Sequence, residues 1–314
     1  MRRRGARSAQ YRAKSVGYRG APPVVLCVLL LAGCWNGRVL FSFEQPFWST
    51  LGDDFRLKAS LAGDAVRRGY LPHVNVGGIA SDPVRALVST VSTGQYALVI
   101  VGPLLSFDWA SYVPTFPKTR FILIDAPAPT QDPPANAVFL TFDRTAAFRD
   151  AGRAAAESVR GTLSSSDAAV SASEPASRIG VLTSDDSGLT DAEAEAFSNG
   201  VADALNGGRP VSRKLTSPSD RGSIRTAIDQ MRQAGTQVFL FGLGERDSLA
   251  LEALHDSGGS AVVADWEASG AFAAQVLASV EEDVPGGIAH AWDALRAGVA
   301  RVDGPVRLVV GKKI

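Results

Sequence analysis

The chain has 314 residues, with 32 basic and 32 acidic side chains, 46% hydrophobic residues and two cysteines. That length holds one large domain or two lobes of ordinary size. Two cysteines, Cys27 and Cys34, leave no disulfide framework and no Cys-based zinc site.

The first segment reads as an export signal. Arg2, Arg3, Arg4, Arg7, Arg12, Lys14 and Arg19 precede the apolar run VVLCVLLLAG (24–33), with no acidic residue among them. A positive leader, a short apolar stretch and small residues before a cut describe a secretory signal. The run falls short of the roughly 20 apolar residues that span a bilayer. Leu31-Ala32-Gly33-Cys34 resembles the lipobox of bacterial lipoproteins, which implies cleavage after residue 33 and lipid, palmitate included, on Cys34. Trp35 beside it is expected at the membrane interface. Loss of seven basic residues leaves 25 against 32, a net of −7. An acidic body does not suit nucleic acid, whose phosphates need a basic surface.

Beyond Cys34 the pattern alternates. Apolar runs rich in β-branched and aromatic residues predict buried strands at 38–43, 72–76, 97–102, 120–125 and 137–142. A second set follows at 178–184, 210–215, 237–242 and 261–266. Helices are predicted at 83–94, 144–160, 189–206, 219–234, 245–257 and 267–282, and a Ser/Ala-rich solvated loop at 161–177. Continuous apolar strands with helical crossovers predict two α/β lobes, each a parallel sheet flanked by helices. No GxSxG elbow, Walker loop or HExxH is present, and His73, His255 and His290 are scattered. The expectation is a binding protein without catalytic residues, metal or cofactor.

Four stretches carry a family resemblance, in order along the chain. They are IVGPLLSFDWASYVPTFPKTRFILIDAP (100–127), PANAVFLTFDRTAAFRDAGRAAAESV (134–159), RIGVLTSDDSGLTDAEAEAFSNGVADAL (178–205) and AVVADWEASGAFAAQVLASVEEDVPGGIAHAWDALRAG (261–298). Together they resemble the basic membrane protein family of solute-binding lipoproteins, which includes purine nucleoside receptors and a riboflavin-binding lipoprotein. The resemblance implies the type I periplasmic binding-protein fold, two lobes joined by a hinge. It implies an N-terminal lobe of 37–142 plus 267–290, and a C-terminal lobe of 143–266 plus 291–314. It further implies a monomer, lipid-anchored on the periplasmic side of the cell membrane, that hands a small molecule to ABC permease and ATPase subunits. Two departures stand out. The family's Asp and Phe turn after the first strand is SFEQPFWSTLGDDF (42–55), and a common Lys is replaced by Glu281 and Glu282 in VLASVEED (276–283).

Ligands of open α/β sheets bind beyond the carboxyl ends of the strands. Residues just after each predicted strand are therefore the candidates: Gln45, Phe47, Trp48, Gly77, Gly78, Gly102, Pro103, Leu104, Phe142, Asp143, Asp185, Asp186, Gly242, Gly244, Asp265 and Trp266. Aromatic rings there can stack on a planar ligand and carboxylates can accept from hydroxyls. Several have a structural alternative. Phe142 suits core or cleft, one of Phe47 and Trp48 suits a helix staple, and Asp185 and Asp186 suit helix caps. Asp265 corresponds to the family's Asp that binds ribose hydroxyls. With four rings in view the expected ligand is riboflavin, the alternative a purine nucleoside, and the further alternative a surface interaction or sensor protein that does not serve transport.

Overall fold

The first strand explains the architecture. β1 (Arg38–Glu44, RVLFSFE) is buried at every position after Arg38, and a strand covered on both faces requires parallel neighbours backed by helices. The computed structural model describes residues 35–314 except 52–53, 78–81, 128, 130–131, 163–172, 186–188, 217–220, 265–271 and 312–314. The expected signal segment and Cys34 lie outside the described residues.

After β1 come α1 (Gln45–Thr50), α2 (Asp54–Arg67), β2 (Leu71–Gly77), α3 (Pro83–Gly94) and β3 (Tyr96–Val101). Then follow α4 (Pro103–Ser106), α5 (Trp109–Tyr112), a 3-10 turn (Val113–Thr115), β4 (Arg120–Ile124) and β5 (Ala137–Thr141). The next stretch holds α6 (Thr145–Thr162), α7 (Ser173–Ser177), β6 (Ile179–Ser184), α8 (Asp191–Ala204), β7 (Val211–Leu215) and α9 (Arg221–Gln233). It continues through β8 (Val238–Gly242), a 3-10 turn (Gly244–Arg246), α10 (Asp247–Ser257), β9 (Ser260–Ala264) and β10 (Val276–Glu282). The chain closes with α11 (Val284–Ala297), β11 (Arg301–Asp303) and β12 (Val306–Val310).

Two six-stranded sheets result, in the orders β11-β5-β4-β3-β1-β2 and β12-β10-β9-β8-β6-β7. All pairs are parallel except β10 with β12. Alternation along each strand splits its side chains between two cores. Val39, Phe41 and Phe43 of β1 join α2 and α11 on one face, while Leu40 joins α3, α4 and the 3-10 turn on the other. In the second sheet Val181 meets α6 and α8, and Leu182 meets α9 and α10. Each large apolar side chain so buried contributes about 1.5–3 kcal/mol.

Helix ends follow local chemistry. Asp82 Oδ1 accepts from the Arg85 amide and Pro83 opens α3, which Gln95 ends in the left-handed region at φ 51°. Thr190 and Glu193 form a reciprocal capping box on α8. Helices α6 and α8 cross with backbones in contact. A Cβ at Gly152 would collide with the Phe197 carbonyl, and one at Gly200 with the Arg149 carbonyl.

The predicted strands all form, within a residue or two of the predicted ends. The C-terminal part does not follow the prediction. Residues 276–282, expected in a helix, are β10, paired with β9 and β12. Leu, Ala and Glu favour a helix intrinsically, but partners on both sides override that preference. Ser173–Ser177, expected in a loop, is helical. The expected lobe segments also divide differently. β10 belongs to the second sheet, while α11 packs into the core of the first and β11 extends it.

Candidate ligand-binding cleft

The chain passes between the sheets three times over short distances: residues 142–144 after β5, Asp283 after β10, and Gly304-Pro305 after β11. Each passage leaves a strand's carboxyl end, so the carboxyl edges of both sheets are held beside one another. The passages are also bonded together. The Gly304 amide donates to Thr141 O at 2.7 Å and the Asp283 amide to Pro305 O at 2.9 Å, and Thr141 Oγ1 donates to Asp303 Oδ1 at 2.8 Å.

Arg144, on the first passage, is nearly buried. Its guanidinium donates to Glu193 Oε1 at 2.6 Å and Glu193 Oε2 at 3.1 Å, and Nη1 lies 3.6 Å from Glu282 Oε1. A planar fork meeting a carboxylate in two bonds is the strong form of such a pair. It fastens the first passage to α8 and to the end of β10.

Within an open parallel sheet, ligands settle where neighbouring strands send their connections in opposite directions. The strand orders put that point between β1 and β3 in the first sheet, and between β6 and β8 in the second. Glu44 ends β1 at the first point and is 5% exposed. Its Oε1 accepts the Leu105 amide of α4 at 2.6 Å, and its Oε2 has no hydrogen-bond partner. A Cβ at Gly102 would collide with that oxygen. Burial raises the Glu44 pKa above its ordinary value, against its backbone hydrogen bonds. The Tyr112 hydroxyl, whose pKa is also raised by burial and then by the nearby Glu44 charge, donates to Leu105 O at 3.0 Å. Ser184 ends β6 at the second point, and its buried Oγ likewise has no partner.

The predicted site residues separate into groups. Trp48 is 3% exposed and stacks on Phe43 at 5.4 Å within the core, while Phe47 is half-buried and meets the same ring at 5.9 Å. Trp48 therefore takes the packing role. Phe142 is buried at the passages, where Cβ atoms at Gly287 and Gly304 would strike its ring. Gln45 is exposed at the start of α1, and Pro103 opens α4 behind the buried Gly102. Asp143 Oδ1 accepts the Thr145 amide at 2.9 Å, and its pKa is lowered first by hydrogen bonding to the Thr145 side chain and then by that amide. Asp185 is exposed and pairs with Lys214 at 2.9 Å. Gly242 is buried, and the Leu243 amide after it donates to the buried Asp247 at 2.8 Å. Gly77 has open space above it. Gly78, Asp186, Asp265 and Trp266 lie outside the described residues.

In the sequence Glu44 and Ser184 each read only as the polar end of an apolar run. The available signal was position: each is the last residue of the first strand in its sheet. His73 hydrogen-bonds Tyr96, and His255 hydrogen-bonds Gln275. Among the described residues no group of three or more His, Cys, Asp or Glu is placed to hold a metal ion, and no helix is long and apolar enough to cross a membrane.

No family model matches the chain. No curated protein matches it either. Solved structures do match. A transcriptional activator of the comK gene from Bacillus halodurans superposes with a TM-score of 0.67 at 14% identity, covering 88% of this chain and 92% of that one. An ABC transporter solute-binding protein from Aeropyrum pernix K1 gives 0.61 at 17% identity, over 87% and 76%. A periplasmic ribose ABC transporter protein from Conexibacter woesei gives 0.58 at 15% identity, over 88% and 92%. The fold is the two-lobed periplasmic binding-protein fold. At these identities the likeness establishes architecture, and function has to be argued from the site.

Proposed function

We propose that this chain is the solute-binding component of an ABC-type importer, capturing a small ligand between its lobes without transforming it. The observation that carries the reading is the set of three short passages holding two strand-end edges together, a geometry suited to hinge closure. Structural neighbours described as solute-binding, ribose and myo-inositol-binding proteins support it. The lipobox-like LAGC supports a lipid anchor at Cys34 on the extracytoplasmic side, and the role implies permease and ATPase partners.

The ligand in this reading joins a ring plane to a sugar or polyol. Riboflavin, with its three-ring plane, needs extensive aromatic surface at the strand ends. Trp48 and Phe142 pack within the protein, which leaves less ring surface at the strand ends and suits the smaller plane of a purine nucleoside. The nucleoside therefore moves ahead of riboflavin. A sensor role independent of transport is the second reading, favoured by the neighbour described as a transcriptional activator.

Calorimetry on ligand-stripped protein with guanosine, adenosine, inosine, riboflavin and ribose tests the proposal, with scattering profiles in parallel. Tight binding accompanied by a smaller radius supports the clamp. Silence from all five removes the solute-capture reading.

A further inference from the structure

The two lobes are built alike where ligands of this fold class meet the sheets. β1 of the first sheet and β6 of the second both lie between the strand that follows them and the strand after that. Both end in a polar residue that is more than nine-tenths buried: Glu44 at 5% and Ser184 at 3% exposure. Each carries an oxygen without a hydrogen-bond partner, Oε2 and Oγ respectively. Buried polar groups are ordinarily satisfied, and each exception calls for an explanation. Thr236 and Ser279 are the other such cases among the described residues, and neither ends a strand: Thr236 precedes β8 and Ser279 lies inside β10.

Beside Glu44 sits a second feature. Turn α4 is tied down by Glu44 on the Leu105 amide, by Ser106 Oγ donating to Val101 O at 3.0 Å, and by Tyr112 on Leu105 O. Yet it exposes Leu104 at 49% and Phe107 at 69%. Three residues apart, these two share one face of the turn. A fixed turn that shows apolar side chains beside a strand's carboxyl end is already organised for contact, so little ordering entropy is lost when a ligand meets it.

We propose that Glu44 and Ser184 are the paired hydrogen-bonding residues of the ligand site, one from each lobe, and that the Leu104–Phe107 face supports the ligand's ring. This deepens the solute-capture reading and rests on it. The ligand class that fits has an apolar or aromatic face and at least two hydroxyl or amino groups, one directed to each lobe. A bare sugar lacks the face, and an aromatic hydrocarbon lacks the donors.

The test is calorimetry on the full-length protein with guanosine, riboflavin and ribose, using Ser184→Ala, Phe107→Ser, Glu44→Gln and Thr236→Val. Ser184 and Phe107 carry the decision, because removing a hydroxyl or an exposed ring leaves the cores intact. Guanosine or riboflavin is expected to bind, with an affinity loss of about 2- to 10-fold in Ser184→Ala. Phe107→Ser is expected to lose about 5-fold or more, and Thr236→Val to match the parent. Binding unchanged in both Ser184→Ala and Phe107→Ser overturns the site assignment while leaving solute capture standing. Binding of ribose alone overturns the ring-bearing class. Binding of none of the three probes overturns the assignment, and the solute-capture reading falls with it only when adenosine and inosine are silent too.

Discussion

Phe142 and Gly304 fit together as ring and gap: the Phe142 ring from the first interlobe passage occupies the space a side chain at Gly304 on the third would need. Gly287, at the start of α11, faces the same ring. One aromatic side chain of the first passage thus packs against both the third passage and the first turn of α11. Gly304→Ala is expected to destabilise the protein by about 1–3 kcal/mol through overpacking, and Phe142→Ala by about 3–5 kcal/mol through the cavity it leaves. Urea unfolding followed by fluorescence reads both. Midpoints equal to the parent's in both variants would contradict the spacing role.

The Arg144–Glu193 pair is a second fastening, and both partners are nearly buried. Truncating either to Ala removes the other's two-bonded partner from a nearly buried position, which costs about 3–5 kcal/mol. Glu193→Ala also removes half of the α8 capping box. The double variant Arg144→Met, Glu193→Met is expected to be less damaging than the sum of the single Ala changes. Additive losses would mean that the two residues act separately.

Glu44 predicts a pH dependence. Burial raises its folded pKa above the ordinary carboxyl value, so the folded state holds that proton more tightly than the unfolded state. The contribution to stability is therefore fully present below the unfolded pKa and is lost as pH rises through the folded one. Glu44→Gln keeps an acceptor for the Leu105 amide and lacks the titration. Relative to the parent, the variant is expected to gain stability between about pH 4, near the unfolded carboxyl value, and neutrality. Melting temperatures at several pH values measure the difference, and parallel curves would contradict a titrating Glu44.

Much of the architecture was legible because parallel, twice-covered strands write themselves as unbroken apolar runs such as ALVIVG and QVFLFG. β10 was not legible, since VLASVEE has helix-favouring residues and becomes a strand only between β9 and β12. β11 spans three residues and takes its identity from β5 alone. At the site, strand ends could be located but not the face each side chain takes. Trp48 turned into the core beside Phe43, and Phe142 filled the space between passages. The unpartnered oxygens of Glu44 and Ser184 were not legible, because a buried oxygen without a partner is a property of three-dimensional surroundings.

Cys34 provides a prediction independent of the fold. Cys34→Ser is expected to abolish incorporation of labelled palmitate and to block processing after residue 33. The only other cysteine, Cys27, lies within the segment expected to be removed. Undiminished labelling of the Ser variant would exclude the lipobox reading.

Neither sheet is drawn from a continuous stretch of chain. The first needs β11 and the cover of α11, and the second needs β10 and β12, all within 276–310. During synthesis, both cores thus stay open on one side until the last segment has left the ribosome. Premature termination before residue 276 removes a layer or an edge from both halves at once, so truncated products have no finished half to shelter them from proteolysis.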